Sequence, residues 1–324
     1  MRPEPHGHGR YAASVAETER TAPENVPRTD VVVVAYNSRD VLRACVAPLA
    51  GAPGVAVVVV DNASPDRGHE TVADLPLTVV ESGRNGGFSF GCNVGWRRGS
   101  SPYVLFLNPD ARITPEAVGR LAAALEADPG LGAIGPLILG DDGSLDPSQR
   151  SFPSLLTTWA QALFLHRVFP RAAWTDELER RPEAYSRAGR PDWISGACLM
   201  TRRDVLERIG GFDERFFLYC EDTDLCRRIR DLGLGVGFEP SVVCMHEGGA
   251  SAPRAGLFTV LAESRMLYAR RHRGRLDGLL ERVGVGVGEL THTVVSAGGA
   301  AGRRGHLTAL LRVIRGPRDP AGPP

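Results

Sequence analysis

Four short runs, 31–36 (VVVVAY), 55–60 (VAVVVV), 103–107 (YVLFL) and 132–139, are apolar at nearly every position instead of alternating. Runs of that kind predict strands buried on both faces, as in a parallel sheet covered by helices. A shorter strand is expected over 77–81. Between the runs the apolar period changes. Val41, Leu42, Cys45 and Leu49 share one face of a helix that starts after an Asn37-Ser38 turn and reaches about Ala50. Thr114-Pro115-Glu116 is a helix start, and that helix runs to Ala127, before Asp128-Pro129-Gly130. This alternation of strand and helix predicts a doubly wound, mostly parallel α/β sheet.

The second half is less regular. A strand is expected over 193–200 (WISGACLM), with Gly196 marking a close approach by another backbone or a ligand. A short helix over 203–209 ends at Gly210-Gly211. A helix over 221–232 carries Leu225, Ile229 and Leu232 at helical spacing and is closed by Gly233. Strands over 235–238 and 242–245 and a helix over 258–272 follow. Segment 150–191 reads as a helix-and-loop insert: an ordinary packed helix, an acceptor groove or a membrane contact. Residues 275–315 read as Leu/Val-rich helical pieces broken by glycine, packed on the domain or lying on a membrane. The Pro/Gly-rich ends, 1–29 and 316–324, read as disordered tails.

The polar residues that interrupt this pattern carry the candidate chemistry. In a doubly wound sheet, ligands bind beyond the carboxyl ends of the strands. Tyr36, Asn37, Asp61, Asn108 and Asp110 stand at those ends. Asp61-Asn62 is either a self-capping turn or the place where Asp61 accepts a hydrogen bond from a nucleobase or ribose, with Tyr36 packing on the base. Segment 83–95 has five glycines in thirteen residues but no GxGxxG spacing, so it reads as a flexible loop feeding a helix around Val94 and Trp96. Phe216, Phe217, Leu218 and Tyr219 run directly into Glu221, Asp222 and Asp224. Acids at a helix start satisfy its dipole; delivered by an apolar platform, they also suit a catalytic base. His246, after a strand, is either structural or a metal ligand.

Composition narrows the classes. All 38 basic residues are arginine, which removes lysine Schiff-base and P-loop chemistry. The formal net charge is zero, so nothing global favours nucleic acid. Six cysteines without CxxC spacing suit free thiols in a reducing compartment. No leader-like stretch and no apolar run of roughly 18–20 residues is present, so neither a signal peptide nor a membrane span is expected.

Seven segments together resemble family 2 glycosyltransferases of the GT-A fold, nearest to the bacterial rhamnosyltransferase-like and galactofuranosyltransferase-like branch. They are 31–38 (VVVVAYNS), 57–64 (VVVVDNAS), 85–95 (NGGFSFGCNVG), 106–110 (FLNPD), 194–200 (ISGACLM), 210–228 (GGFDERFFLYCEDTDLCRR) and His246. The resemblance implies a GT-A domain over 30–272, with a Rossmann-like nucleotide-binding half and an acceptor-binding half, and a helical extension over 273–315. It implies an inverting transfer, with Mg²⁺ or Mn²⁺, from a nucleotide-sugar donor, first dTDP-rhamnose and then a UDP- or GDP-sugar, to a glycan, lipid-linked or cell-wall acceptor or to an antibiotic-type small molecule. It implies a cytoplasmic protein that touches at most the inner face of the cell membrane, through 155–169 or 275–315. Tyr36, Asn37 and Asp61 would hold the nucleoside, and Arg84-Asn85 would close over the donor. Asn108 and Asp110 occupy the DXD position in an NPD form that lacks one acid. Asp110 and His246 would ligate the metal, and Asp222 would be the base. Asp192, Trp193 and Glu221 would lie on the acceptor side. A nucleotidyltransferase would carry a phosphate loop after its first strand, which Tyr36-Asn37-Ser38 does not resemble. A binding scaffold without activity would have lost the acid cluster or His246.

Overall fold

A computed structural model of the chain describes residues 28–169, 172–248, 254–295 and 299–316. Of the tails expected over 1–29 and 316–324, residues 1–27 and 317–324 lie outside them, while Thr29 opens the first strand. Ten strands are present among the described residues: β1 (Thr29–Ala35), β2 (Val55–Asp61), β3 (Thr78–Glu81), β4 (Tyr103–Leu107), β5 (Ala111–Arg112), β6 (Leu131–Leu139), β7 (Gln149–Arg150), β8 (Trp193–Ile194), β9 (Cys198–Arg202) and β10 (Gly235–His246). Eight form one sheet in the order β3-β2-β1-β4-β9-β6-β10-β5. β3, β2, β1 and β4 are mutually parallel. β9 is antiparallel to β4 and β6, and β5 is antiparallel to β10. The chain steps outward from β1 to β3 and then crosses to β4, so the order reverses between β1 and β4. A ligand crevice opens at such a switch point.

The apolar runs fold as strands because both faces are covered. Val31, Val33 and Ala35 enter one core cluster, and Val32 and Val34 enter the other. The helix α1 (Arg39–Val46) is shorter than expected, because Pro48 has no N–H to continue the ladder; Leu49 is still buried. α2 (Gly87–Trp96) takes in most of the glycine-rich stretch that read as a loop. A Cβ on Gly91 would lie 2.5 Å from Val34, and one on Gly95 would lie 2.3 Å from Val32. These glycines let the helix sit directly on β1. α3 (Pro115–Ala127) starts as expected, with the Ala117 N–H donating to the Thr114 hydroxyl at 3.2 Å.

The strand expected over 193–200 is two. Trp193–Ile194 pairs with β7 in a separate ribbon, and the chain turns at Ser195-Gly196 before entering the main sheet as β9. The strands expected over 235–238 and 242–245 are one, β10, with a register break between Glu239 and Val243. Pro240 falls in that break, where a missing N–H costs no ladder bond.

The remaining helices are α4 (Leu155–Ala162), α5 (Leu165–Val168), α6 (Arg203–Ile209), α7 (Glu221–Asp231), α8 (Arg254–His272), α9 (Gly274–Val295) and α10 (Gly299–Arg315). Of the glycines expected to break 275–315, Gly278, Gly284, Gly286 and Gly288 lie inside α9, Gly302 and Gly305 lie inside α10, and Gly299, at φ of 64°, opens α10. Two of them mark close contacts: a Cβ on Gly284 would lie 3.0 Å from Thr158, and one on Gly278 would lie 3.0 Å from Arg270. The insert is thereby packed on the C-terminal helices. Glu281, fully buried, accepts from the Thr158 hydroxyl at 2.9 Å and pairs with Arg273 at 2.8 Å and Arg265 at 3.4 Å. All six cysteines are free thiols, five of them buried.

Candidate active site

The carboxyl ends of β1 and β2 are tied to each other. The Asn37 N–H donates to the Ser64 hydroxyl at 2.7 Å, Ser64 donates to Asp66 at 2.5 Å, and Asp66 accepts from the Arg39 N–H at 2.8 Å. Asn37 and Ala63 adopt left-handed backbone conformations, with φ of 50° and 54°. Such strain persists only where surrounding structure imposes it, and it concentrates at functional sites. Tyr36 is half-buried at the end of β1 and Asn37 is exposed beside it. Asp61 is buried, with one oxygen 3.3 Å from His69 Nδ1.

Asn62, which the sequence offered only as a turn residue, organises the next loop. Its amide nitrogen donates to Asn85 Oδ1 at 3.0 Å and the Gly87 carbonyl at 3.1 Å, and its oxygen accepts from the Gly86 N–H at 3.2 Å. The Arg84-Asn85 turn is therefore pinned to the end of β2. The Arg84 guanidinium lies 4.4 Å from the Phe90 ring centre. The Phe88 N–H donates to the Phe217 carbonyl at 2.7 Å, docking this loop on the aromatic platform before Glu221.

At the end of β4 the chain passes Asn108-Pro109-Asp110 into β5. Pairing of β5 with β10 sets His246 opposite Ala111, one residue from Asp110. His246 Nε2 lies 3.4 Å from Asp110 Oδ1, and Nδ1 lies 3.2 Å from Asp146 Oδ2. The Asn108 amide nitrogen is 3.4 Å from the same Nε2. Burial lowers the His246 pKa, but the two carboxylates outweigh it and raise the pKa to about 10.

The acid cluster begins with two more left-handed residues, Tyr219 and Cys220, at φ of 68° and 61°. They turn the platform sharply into α7. The three acids then part ways. Asp224 is fully buried and structural: it pairs with Arg228 at 2.7 Å, Arg271 at 2.8 Å and His272 at 2.7 Å. Removing one partner of a buried ion pair leaves the others uncompensated. Asp224→Asn is expected to cost about 3 kcal/mol, measured as a lower denaturation midpoint at unchanged slope; wild-type stability would contradict this role.

Glu221 is buried, and its Oε2 has no hydrogen-bond partner among the described residues. Burial and the neighbouring Asp222 charge push its pKa well above the ordinary 4.5. A pKa raised on folding contributes stability that is fully present below the unfolded value and is lost as pH rises through the folded one. Glu221→Gln is thus expected to be more stable than wild type near neutral pH, with a flatter pH dependence. Parallel stability–pH curves for the two would contradict it.

Asp222 is half-buried and well held. Oδ2 accepts from the Gly196 N–H at 2.9 Å, and Oδ1 accepts from the Thr223 N–H at 2.7 Å. Burial raises its pKa; the Gly196 N–H and the Arg150 charge oppose the rise. The close approach expected at Gly196 is made by this side chain, since a Cβ there would lie 3.2 Å from Asp222 Cβ. The next residue faces the other way: the Ala197 carbonyl accepts from the Asn108 N–H at 2.9 Å. Two consecutive residues therefore join Asp222 to the Asn108–Asp110 turn.

Trp193 is buried, donating its indole N–H to the Ser151 carbonyl at 2.9 Å, with the Arg150 guanidinium 4.9 Å from its ring centre. Asp192 accepts from the Phe152 N–H at 3.0 Å and lies 3.6 Å from Arg230. Arg150 Nε is buried with no hydrogen-bond partner among the described residues.

Residues 30–210, more than half of the chain, match the profile of Glycosyl transferase family 2. The chain belongs to that family. It is 33% identical over 263 residues to the N-acetylglucosaminyl-diphospho-decaprenol L-rhamnosyltransferase of Mycobacterium tuberculosis, covering 75% of this chain and 85% of that protein. It is 25% identical over 155 residues to rhamnosyltransferase WbbL of Escherichia coli K12, covering 47% and 54%. The mannosyltransferase PcManGT from Pyrobaculum calidifontis, solved with GDP-Man and Mn²⁺, superposes with a TM-score of 0.50 at 20% identity, over 94% of this chain and 90% of that one. S. aureus TarS 1-349 with UDP-GlcNAc gives 0.53 at 17% identity, over 89% and 81%. Those structures share the GT-A fold.

In this family 2 glycosyltransferase, five of the expected residues fall in two linked groups: Asn108, Asp110 and His246 form one, and Asp222 with Glu221 forms the other. Tyr36, Asn37 and Asp61 stand at the ends of β1 and β2, Arg84 and Asn85 follow β3, and Asp192 and Trp193 stand at the β7–β8 ribbon. Asn62, Asp146 and Arg150 were not foreseen. A signal existed for Asn62, whose side chain follows a buried strand beside the glycine-rich segment. None existed for Asp146 and Arg150, which lie in or beside the least regular part of the chain.

Proposed function

We propose that the protein is an inverting, metal-dependent glycosyltransferase that transfers rhamnose from dTDP-rhamnose to a hydroxyl of a lipid-linked or cell-wall glycan precursor, on the cytoplasmic side of the membrane. The rhamnosyltransferase relatives support the sugar, and the name of the mycobacterial one supports a diphospholipid-linked acceptor. The observation that carries the mechanism is the Gly196-Ala197 link, which holds the Asp222 carboxylate beside the turn that bears Asp110.

Tyr36, Asn37 and Asp61 would bind the nucleoside, and the Arg84-Asn85 turn would cover the donor. Among the described residues, no three His, Cys, Asp or Glu side chains form a metal cage. The donor set nevertheless fits Mg²⁺ or Mn²⁺, which are commonly held by one or two protein ligands with substrate phosphates completing the shell. Asp110 and His246 are adjacent; Asp110 would offer a carboxylate oxygen, and His246 would offer an imidazole nitrogen once the proton that Asp110 and Asp146 hold on it is lost on metal binding. When bound, the metal would offset charge on the departing diphosphate.

Asp222 takes the proton of the acceptor hydroxyl as its oxygen bonds to the anomeric carbon. The bond from that carbon to the diphosphate oxygen breaks on the opposite face, and the nucleoside diphosphate leaves. Glu221, whose carboxyl pKa is pushed up by burial and by the neighbouring Asp222 charge, would border the acceptor side with Asp192 and Trp193.

Calorimetry tests the donor. dTDP-rhamnose, UDP-galactose, UDP-glucose, UDP-N-acetylglucosamine and GDP-mannose would each be titrated with Mn²⁺ and with EDTA. Binding of dTDP-rhamnose that requires Mn²⁺ is expected. Preference for another donor would overturn the sugar assignment, and binding indifferent to EDTA would overturn the metal.

A further inference from the structure

Exposed apolar side chains are confined to one part of this molecule. Among the described residues, every large hydrophobic side chain that is exposed lies within 156–174 or 261–314. The C-terminal helices already bury one apolar face in each other, through Ala262, Met266, Val285, Ala309 and Val313. A second apolar stripe on α9 stays outside. Leu276, Leu279, Leu280, Val283, Leu290 and Val294 are all exposed and recur at i, i+3, i+4, i+7, i+14 and i+18, which sets them on a single helix face. α10 repeats the device with Leu307, Leu311 and Ile314. The insert joins the same unit: the Thr291 hydroxyl donates to the Ala162 carbonyl at 2.8 Å, and Leu163, Phe169 and Trp174 are exposed beyond it.

Charge is concentrated in the same place. Residues 254–315 contain eleven arginines against four carboxylates, in a chain whose formal net charge is zero; Arg265, Arg271, Arg273 and Arg312 are taken up in ion pairs within the fold. Three of the others, Arg270, Arg275 and Arg282, line a cleft of about 370 Å³ together with Met266, Gly278 and Leu279. Arg282 donates to the Val313 carbonyl at 2.8 Å and the Ile314 carbonyl at 2.6 Å. The guanidinium groups of Arg270 and Arg275 make no ion pair among the described residues, although both residues are exposed. Leu279 belongs to the cleft and to the apolar stripe, so the cationic pocket opens at the edge of the apolar face.

We propose that this face lies on an anionic membrane surface, with the α9 stripe in the interface and the Arg270–Arg275–Arg282 cleft receiving a lipid phosphate. A helix with one apolar face flanked by arginine sits in the plane of such an interface, and basic groups near it are drawn by its negative potential. No helix among the described residues is long and apolar enough to cross the membrane. A second copy of the chain is a poorer occupant, because two such arginine-rich faces would repel each other. The surface is also coupled to the acid cluster. The Ser264 hydroxyl of α8 donates to the Leu218 carbonyl at 2.7 Å, and Arg271 and His272 pair with Asp224. The docking does not depend on the sugar or the acceptor proposed above; only its use, to meet a lipid-linked acceptor, rests on that reading.

Flotation of the full chain with vesicles tests it, using phosphatidylcholine alone and phosphatidylcholine with phosphatidylglycerol, at low and high salt. Wild type is expected to float with the anionic vesicles, about tenfold less with neutral ones, and to be released by salt. The pair Leu279→Glu and Val283→Glu is expected to lose binding to both vesicle types at least about tenfold. The pair Arg270→Ala and Arg275→Ala is expected to lose the anionic preference alone. Melting temperature and sedimentation velocity establish that each variant is folded and monodisperse. Three results would overturn the proposal: no flotation of wild type with anionic vesicles, equal flotation of the Glu pair, or a stripe-dependent dimer that ignores vesicles.

Discussion

Asp222→Asn is expected to lower kcat by about 10²–10⁴-fold, the range supplied by a positioned general base, while leaving donor affinity within a factor of about two. The substitution keeps one of the anchoring contacts, since an amide oxygen can still accept from the Gly196 N–H that holds Oδ2 at 2.9 Å. What it removes is the carboxylate oxygen proposed to take the acceptor proton. Steady-state transfer and donor calorimetry on the same preparation check both halves, and undiminished turnover would exclude the base. A pH profile adds an independent reading. Burial raises the Asp222 pKa above the ordinary 3.8, and only the ionised form is active, so kcat falls as pH drops through that elevated value. Arg150 opposes the rise. Arg150→Leu should therefore move the acidic limb to higher pH, and an unmoved limb would show that the limb belongs to another group.

Asp110→Ala is expected to weaken donor binding in Mn²⁺ by about 100-fold and to remove the difference between Mn²⁺ and EDTA. Lost supporting partners of metal ligands already cost about 10–100-fold, and loss of a ligand costs at least the upper end. Asn108 carries no charge, so Asp110 is the only carboxylate of the NPD turn. His246→Ala is expected to act in the same direction. Metal dependence that survives both substitutions would move the metal away from this turn. Unfolding of Asp110→Ala would be a separate outcome, recognised by its melting curve, and His246→Ala then carries the test.

The parallel half of the sheet was legible because its strands are buried on both faces, and an unbroken valine run has few other uses. The placement of the candidate residues after β1, β2 and β4 was legible for a related reason: a polar side chain directly after such a run must stand at the sheet edge. What failed was the reading of glycine. Gly87, Gly91 and Gly95 recur every fourth residue, a helical spacing that could have identified α2, yet their number suggested a loop. Gly278, Gly284 and Gly288 misled in the same way in α9, where they are contact points. Trp193–Met200 could not be divided in sequence, because the turn at Ser195-Gly196 answers to Asp222, a residue twenty-six positions away. The separation of Asp224 from Asp222 was equally hidden. Its cause is Arg271 and His272, brought in by α8 from the far end of the chain.

Direct displacement at the anomeric carbon, with Asp222 as base and Asp110 at the metal, fixes the stereochemistry of the product. The anomeric configuration of the first product formed is read by proton NMR with Mn²⁺, the donor that binds and a diphospholipid-linked acceptor. A glycoside of configuration opposite to the donor's is expected, formed by wild type and not by Asp222→Asn. A product of retained configuration, or one formed equally by both proteins, would contradict it.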